Sequence, residues 1–425
     1  MSPEEEKKTD VGKVILQELT SQPQESKGWK RIGEMLVIPA LAVLSGMLIG
    51  AILIIATSES VYTAFRQSFG LGIYTALKEV GVAYGALLQG SLGDPVRIIT
   101  ALQSGDPLTI RQAVNPFLES LVVTTPYIFA GLAVALGFRA GLFNIGVEGQ
   151  IFIGAACAVY VGYALKGVPA YIHMPLAFLA GTAGGAFWAF IAGYLKAKTG
   201  AHEVINSIML NWIAFRLTEW LLSGPMNRPG SGGMPISPMI EPTAQIPQFF
   251  QNPIRFHLGF FIALLMAYLV YVLLFKTKWG FTMRTVGANP KAGQYAGMNL
   301  AANTMIAMAL SGALAGMAGA NQILAVNRSM AIGLSSGYGF DSIALALIGN
   351  SHPVGVILAS LLFGILRNGA TRMMVVATVP IDIVSIVQAL ILMFVAAPAI
   401  IRAIYRIKVK DTGGAISLSG WGGNK

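Results

Sequence analysis

The chain is short of the material from which water-soluble proteins are built. Only 11% of its 425 residues carry charge while 55% are hydrophobic, against about 25% charged in an ordinary soluble domain. That balance excludes a disordered protein and a typical cytosolic enzyme. A single cysteine, Cys157, sits in an apolar run, so an intrachain disulfide and a secreted disulfide scaffold are excluded too. Histidine is scarce as well, with four in the chain. His202 and Glu203 open a zinc-binding pattern, but Asn206 stands where the second histidine would have to be. No metal is expected. The phosphate-cradling pattern G-x-x-x-x-G-K-[ST] is absent, so this chain has no ATP cradle of its own. No spacing suggests a Ser–His–Asp set either. The expectation is a protein that is not an enzyme in its own right and binds no cofactor.

What the chain does have is length of apolar run. Its mean hydropathy is +0.65, and 49 glycines and 18 methionines accompany the aliphatic residues. This is the composition of a chain solvated by membrane lipid. The net charge of +10 would suit nucleic acid, yet the basic residues punctuate apolar runs and form no stripe, so a nucleic-acid partner is not expected. A spanning helix needs about 20 apolar residues. Runs of that kind occur at 36–56, 120–138, 149–165, 175–195, 204–222, 256–275, 304–326, 353–370 and 383–401. A short run at 342–349 is a half-helix, a re-entrant segment or a short span. Counting it as a crossing gives ten, with both termini on one side. Most Lys and Arg, including Arg402, Arg406, Lys408 and Lys410, then share the side of the N-terminus, as the positive-inside rule requires. The predicted fold class is an all-α polytopic membrane protein of about ten transmembrane helices. Residues 1–35, rich in both charges and without an apolar core, are expected to be a cytoplasmic segment leading to a retained first span. Residues 36–405 are the membrane domain and 406–425 a cytoplasmic tail. Residues 57–115 are expected to be an outer insertion made of an interfacial helix and loop, with a mobile extra hairpin the alternative. The Pro- and Gly-rich 223–255 is an outer loop without helix.

Two segments carry more information than the spans. In 276–300, Asn289 and Pro290 make a strong helix start, since Asn caps and Pro fits the first helical position, and Gly297 makes a natural stop. Lys291, Ala292, Gly293, Gln294 and Tyr295 lie between them. A helix of two turns is marginal alone in water. Either it merely joins two spans or it seats in a groove of another protein. In 139–150, Gly141, Gly146 and Gly149 with Phe143, Asn144, Glu148 and Gln150 interrupt an apolar region. Broken backbone at membrane depth is tolerated only where protein or a water-filled cavity covers it, so this is an ordinary turn or the border of a path. Asn206, Asn211, Asn321, Gln322 and Asp341 are further polar groups near spans, suited to a polyhydroxyl solute or to helix–helix contacts. Recognition of a base would need aromatic faces, for which Phe143, Trp212 and Tyr338 are available. Gly46 with Gly50, Gly181 to Ala186, and Gly312 with Gly316 and Gly319 carry the small-residue spacing of closely packed helices. Arg216 and Glu219 share one helix face as an ion pair, with proton coupling the alternative.

These motifs resemble a known family. Gly141-Leu-Phe-Asn-Ile-Gly-Val-Glu-Gly-Gln150, His202-Glu-Val-Ile-Asn-Ser-Ile-Met-Leu-Asn211, Gly287-Ala-Asn-Pro-Lys-Ala-Gly-Gln-Tyr-Ala-Gly297, Ser311-Gly-Ala-Leu-Ala-Gly316 and Gly337-Tyr-Gly-Phe-Asp-Ser-Ile-Ala-Leu-Ala-Leu-Ile-Gly349 occur in the order seen in permease subunits of prokaryotic ATP-binding-cassette importers. The group includes ribose, nucleoside and branched-chain amino-acid permeases, and the forms at 141–150 and 202–211 are similar to the nucleoside branch. The resemblance implies a multi-pass permease of the inner or plasma membrane that dimerises with itself or a second permease. It implies two ATPase subunits that use ATP beneath it and an extracellular binding protein that delivers solute. It makes 288–297 the coupling helix. The long 57–115 segment departs from the pattern. A secondary transporter driven by an ion gradient, with Arg216 and Glu219 at its centre, and a membrane scaffold are the rival functions.

Overall fold

The computed structural model describes residues 28–250, 253–335 and 337–405. The expectations for residues 1–27 and 406–425 lie outside them. Among the described residues the chain is helical without named strands, apart from isolated bridges. The early helices are α1 (Gly28–Thr57), α2 (Glu59–Gln67), α3 (Phe69–Leu92), α4 (Pro95–Ser104) and α5 (Pro107–Arg139). Then come α6 (Val147–Ala164), α7 (Ala170–Thr199), α8 (Glu203–Ser223), α9 (Gly259–Lys276), α10 (Lys278–Ala288) and α11 (Pro290–Tyr295). The last are α12 (Leu300–Asn321), extended by a π-helical turn Gln322–Asn327, then α13 (Tyr338–Ile348), α14 (Pro353–Ala377), α15 (Ile381–Ala396) and α16 (Pro398–Tyr405). Local chemistry explains many of the starts. Asp94, Asp106 and Asn289 each accept a backbone N–H with their side chains and precede a proline at the first helical position.

Eight of the described helices are long and apolar enough to cross a membrane. One of them, α3, falls within 57–115, where an interfacial helix and loop are expected. That stretch is helical nearly throughout, and its α3 is 24 residues long. The amphipathic appearance given by Lys78 and Glu79 conceals a packed face. Leu87 and Ala83 of α3 share a core with Leu366, Ala370 and Met373 of α14, and the Tyr84 hydroxyl donates to the Met47 carbonyl of α1. A packed face turns an interfacial stretch into part of the bundle.

Two ends of the bundle are marked by contacts. At one, Arg139 donates to the Asn350 and Ser351 carbonyls at 2.9 and 3.0 Å, and Lys196 pairs with Glu203 at 2.7 Å. At the other, the Glu241 N–H donates to the Gly162 carbonyl and the Ser237 N–H to the Met330 carbonyl, both at 2.8 Å. Helices α6, α7, α8, α9 and α12 run between these ends. The short α13 starts in the interior and finishes at the Arg139 end, so it is a half-length span.

α5 is the axis of the fold: 83% of its most apolar window is buried, and Tyr127 through Ala135 lie in one core with residues of α9, α12 and α14. Around it the small-residue spacing does what packing predicts. A Cβ on Gly154 would meet the Gly316 Cα at 2.5 Å, and one on Gly185 would meet it at 2.6 Å, so α6, α7 and α12 touch backbone to backbone. Gly46 and Gly50 likewise seat α1 on Ile391 and Val387 of α15.

Candidate functional site

At the Arg139 end the predicted short helix is present. Asn289 caps α11 by accepting the Ala292 N–H at 3.1 Å, and Gly297, at φ +76°, ends the turn. Pro290, Lys291, Ala292, Gln294 and Tyr295 are exposed, Tyr295 to 95%. Gly293 is the buried face, where a Cβ would meet Val286 of α10 at 2.9 Å. α10 in turn buries Gly280, Met283 and Val286. A Cβ on Gly287 would lie 2.6 Å from backbone atoms of Arg139, Ala140 and Gly141. The protruding helix is thus seated on the turn between α5 and α6.

That turn is a closed hydrogen-bond knot. The Asn144 amide donates to Gln150 Oε1 at 3.0 Å and to Ser311 Oγ at 2.8 Å. Its oxygen accepts from the Gly146 N–H and from Gln150 Nε2. Asn211 accepts the Gly149 N–H at 2.9 Å and donates to the Ile145 carbonyl at 3.0 Å. Asn144, Gln150 and Asn211 therefore spend their polar groups on the broken backbone and on each other. Phe143 stacks near Phe138, with ring centroids 5.1 Å apart. Asn206 and Asn321 lie elsewhere. The Asn206 amide nitrogen and both Asn321 amide atoms are buried without a hydrogen-bond partner.

The remaining predicted residues converge on the start of α13. Glu148 accepts the Gly339 N–H at 2.6 Å, a carboxylate at a helix N-terminus, where the peptide dipoles favour it. Gln322 reaches the Tyr338 hydroxyl at 3.4 Å. Asp341 Oδ2 accepts from the Tyr127 hydroxyl and from Arg367 Nη1, both at 3.0 Å, and Arg367 also donates to Tyr127. The Arg367 guanidinium lies 5.3 Å from the Tyr338 ring centre and 5.8 Å from that of Tyr127. Two cavities adjoin this cluster. One of about 480 Å³ is lined by Asn115, Glu119, Arg255, Tyr338, Arg367 and Asn368 among others. The second, about 350 Å³, is lined by Asp341, Arg367 and Gln388 among others. Arg255 and Glu119 form an ion pair on the wall of the larger one.

Tyr127, Arg367, Arg255 and Glu119 were missing from the predicted set. Arg367 had a signal: it is the one charge inside the apolar run 353–370, and a charge at membrane depth marks function unless something else explains it. Arg216 and Glu219 do pair, at 2.7 Å, but with side chains 75% and 44% exposed on the outer face of α8. Trp212 is 58% exposed on the same helix. Neither joins the cluster.

Comparison with known proteins agrees with this geometry. Residues 117–396 match the family described as branched-chain amino acid transport system / permease component. The chain is 39% identical to the guanosine ABC transporter permease protein NupP of Bacillus subtilis over 378 residues, covering 88% of this chain and 96% of that protein. It is 36% identical to the glucose ABC transporter permease protein TsgB13 of Haloferax volcanii over 68% of this chain and 78% of that one. It is 30% identical to the nucleoside ABC transporter permease protein NupB of Lactococcus lactis over 67% and 80%. No solved structure matches.

Proposed function

The chain belongs to the permease-component family of branched-chain amino acid transport systems, and on that premise we propose that it is the membrane subunit of an ATP-driven importer of nucleosides. It is a multi-pass membrane protein of the nucleoside- or sugar-importing ABC kind. The observation that carries the proposal is the capped helix Pro290–Tyr295, which projects from the bundle and rests through Gly287 on the α5–α6 turn. Five of its six residues are exposed, and a helix this short is marginal in water, so a partner surface would stabilise it. A paired ATPase that closes on ATP would supply the partner and the push. ATP is then bound and hydrolysed on that separate subunit, with no cofactor on this chain. The path is completed by a second permease subunit, identical or related, and the solute is delivered from outside by a binding protein. The positive-inside distribution of Lys and Arg supports a cell-membrane location with the α11 end and both termini in the cytoplasm.

The test is uptake of radiolabelled nucleosides into proteoliposomes holding this chain, its partner permease, ATPase and binding protein. Uptake should require ATP and survive collapse of ion gradients. Replacing 287–297 by a flexible linker should abolish both uptake and ATPase co-purification. ATPase that still co-purifies and drives uptake after that replacement would sink the coupling role.

A further inference from the structure

We propose that Asp341 and Arg367, oriented by Tyr127, are the residues of this permease that recognise the solute, and that they read its adjacent hydroxyl groups, the sugar end of a nucleoside. The proposal rests on the importer function above and deepens it. Three observations carry it. First, the pair and Tyr127 sit in the membrane domain on three different helices, and packing alone does not call for the pair there. Buried ion pairs can often be replaced by apolar residues at no cost to stability. Second, the pair stands where two cavities meet, because Arg367 and Thr371 line both of them. Third, the exposed chemistry is that of hydroxyl recognition. Both bonds to Asp341 end on Oδ2, so Oδ1 accepts nothing from protein among the described residues. Asn115 Oδ1, on the wall of the larger cavity, is buried and likewise without a donor. These acceptors, beside the guanidinium donors of Arg367, match a vicinal diol, in which one hydroxyl donates to Asp341 while its neighbour accepts from Arg367.

The same walls argue against reading the base. A base needs an open aromatic face. Tyr338, the aromatic side chain of the larger cavity, has Arg367 over its ring and Tyr127 set edge-on at 4.9 Å. Phe363 of the smaller cavity is set edge-on to Tyr127 at 4.7 Å. The membrane site is therefore tolerant of the base and selective for the sugar.

The experiment compares ATP-driven uptake of ribonucleosides with that of their 2′,3′-dideoxy counterparts by the complete transporter in proteoliposomes. Wild type should favour the ribonucleoside about tenfold or more, as expected for losing two hydrogen bonds to charged groups. Two variants follow: Asp341→Asn, which keeps an acceptor for Tyr127, and the double change Asp341→Leu with Arg367→Met, which leaves no unpaired charge to unfold the bundle. In both, the ratio should fall to within about twofold of one. The ratio is taken within each preparation, so a loss of assembled protein does not move it. A wild-type ratio near one, with nucleosides still imported, would overturn hydroxyl recognition and leave the importer function standing. A variant that keeps the wild-type ratio would overturn the assignment to this pair. If wild type imports ribose or glucose and no nucleoside, the nucleoside reading falls, and the same ratio taken between each sugar and its deoxy form then upholds or overturns the pair. Import restricted to solutes without hydroxyl pairs, such as branched-chain amino acids, would end both.

Discussion

The seam between Gly287 and the α5–α6 turn allows a sharp mutational test of coupling. A Cβ on Gly287 would lie 2.6 Å from the Ala140 carbonyl carbon, the Arg139 oxygen and the Gly141 nitrogen, where nonbonded carbon contacts settle at about 3.5–4.0 Å. All three atoms are backbone, so no rotamer relieves the clash and the seam must open by roughly 1 Å. Overpacking of this kind costs about 1–3 kcal/mol. Alanine is a poor probe, because in helix α10 it returns about 1 kcal/mol over glycine through propensity. Valine returns less and clashes more, so Gly287→Val should destabilise by about 2–3 kcal/mol or wedge the two parts apart. Gly141→Ala adds a second penalty, since Gly141 sits at φ +71°, where a side chain costs about 1–2 kcal/mol. Gly293→Ala and Gly297→Ala are the controls. The first meets the movable Val286 side chain, and the second meets open space at φ +76°, so it carries the backbone penalty of Gly141→Ala without its clash. Both the thermal midpoint and the number of ATP molecules hydrolysed per solute imported should be measured. The order of damage should be Gly141→Ala and Gly287→Val well ahead of Gly293→Ala, with Gly141→Ala worse than Gly297→Ala by its clash with Gly287, and ATP wasted per solute rising in any seam variant that still assembles. Gly287→Val as well tolerated as Gly293→Ala on both measures would refute the seam.

Three further outcomes follow from the geometry. Glu148→Ala strips the buried Gly339 N–H of its acceptor and should cost about 1–3 kcal/mol, with Glu148→Gln milder; thermal unfolding of the purified transporter ranks the two, and equal midpoints would refute the capping role. Arg216→Gln and Glu219→Gln remove a solvent- or lipid-facing pair worth about 0–1 kcal/mol, so ATP-driven uptake should persist in both; loss of uptake would restore the gradient-driven alternative. Burial, with Arg255 nearby, pushes the His257 imidazole down to about 4, below its ordinary value of about 6.5. The fold holds it neutral, so the unfolded chain binds the extra proton as pH falls below 6.5. Stability should be flat above that pH and decline by roughly 3 kcal/mol on approach to pH 4; His257→Gln should flatten the decline, and an unchanged slope would show that other groups cause it.

The sequence was most legible where structure is local. Asn289 and Pro290 start a helix by capping chemistry contained within four residues, and Gly297 ends it by a positive φ. The apolar runs located most spanning helices for the same reason, since lipid demands length and apolarity of each helix separately. Where partners are distant, residue type was readable and role was not. Asn144, Gln150 and Asn211 have the chemistry of solute ligands, yet Ser311 lies 167 residues from Asn144 and Asn211 lies 62 from Gly149, and only the packing of α12 and α8 against the α5–α6 turn brings these partners together. Arg367 was hidden by the rule that located the spans, because counting apolar length averages over one charge. Its partner Tyr127 is 240 residues away, beyond the reach of any spacing rule. In 57–115 the pattern showed residue character and concealed the packing. Lys78 and Glu79 made α3 look interfacial, although its Ala83–Leu87 face is committed to α14 and α1.

The two functional parts of the molecule are joined by α13. Its C-terminal turn holds Asn350 and Ser351 at φ 51° and 49°, a left-handed conformation that side chains resist and that surrounding contacts must enforce. The enforcing contact is Arg139, which donates to both of their carbonyls and belongs to the turn on which Gly287 rests. The first turn of α13 holds Asp341, and Glu148, at the start of α6, grips the Gly339 N–H beside it. Eleven helical residues span about 16 Å at 1.5 Å each, and a helix of that length moves as a rigid body. Both ends of α13 are therefore tied to the two sides of one break, the α5–α6 turn. A push on α11 that displaces this turn must carry α13 with it or break the Arg139 bonds and the buried Glu148 bond. The polar residues of the knot are saturated by one another while Asp341 and Asn115 keep acceptors in hand, the division of labour that the two proposals require of a part that transmits and a wall that binds.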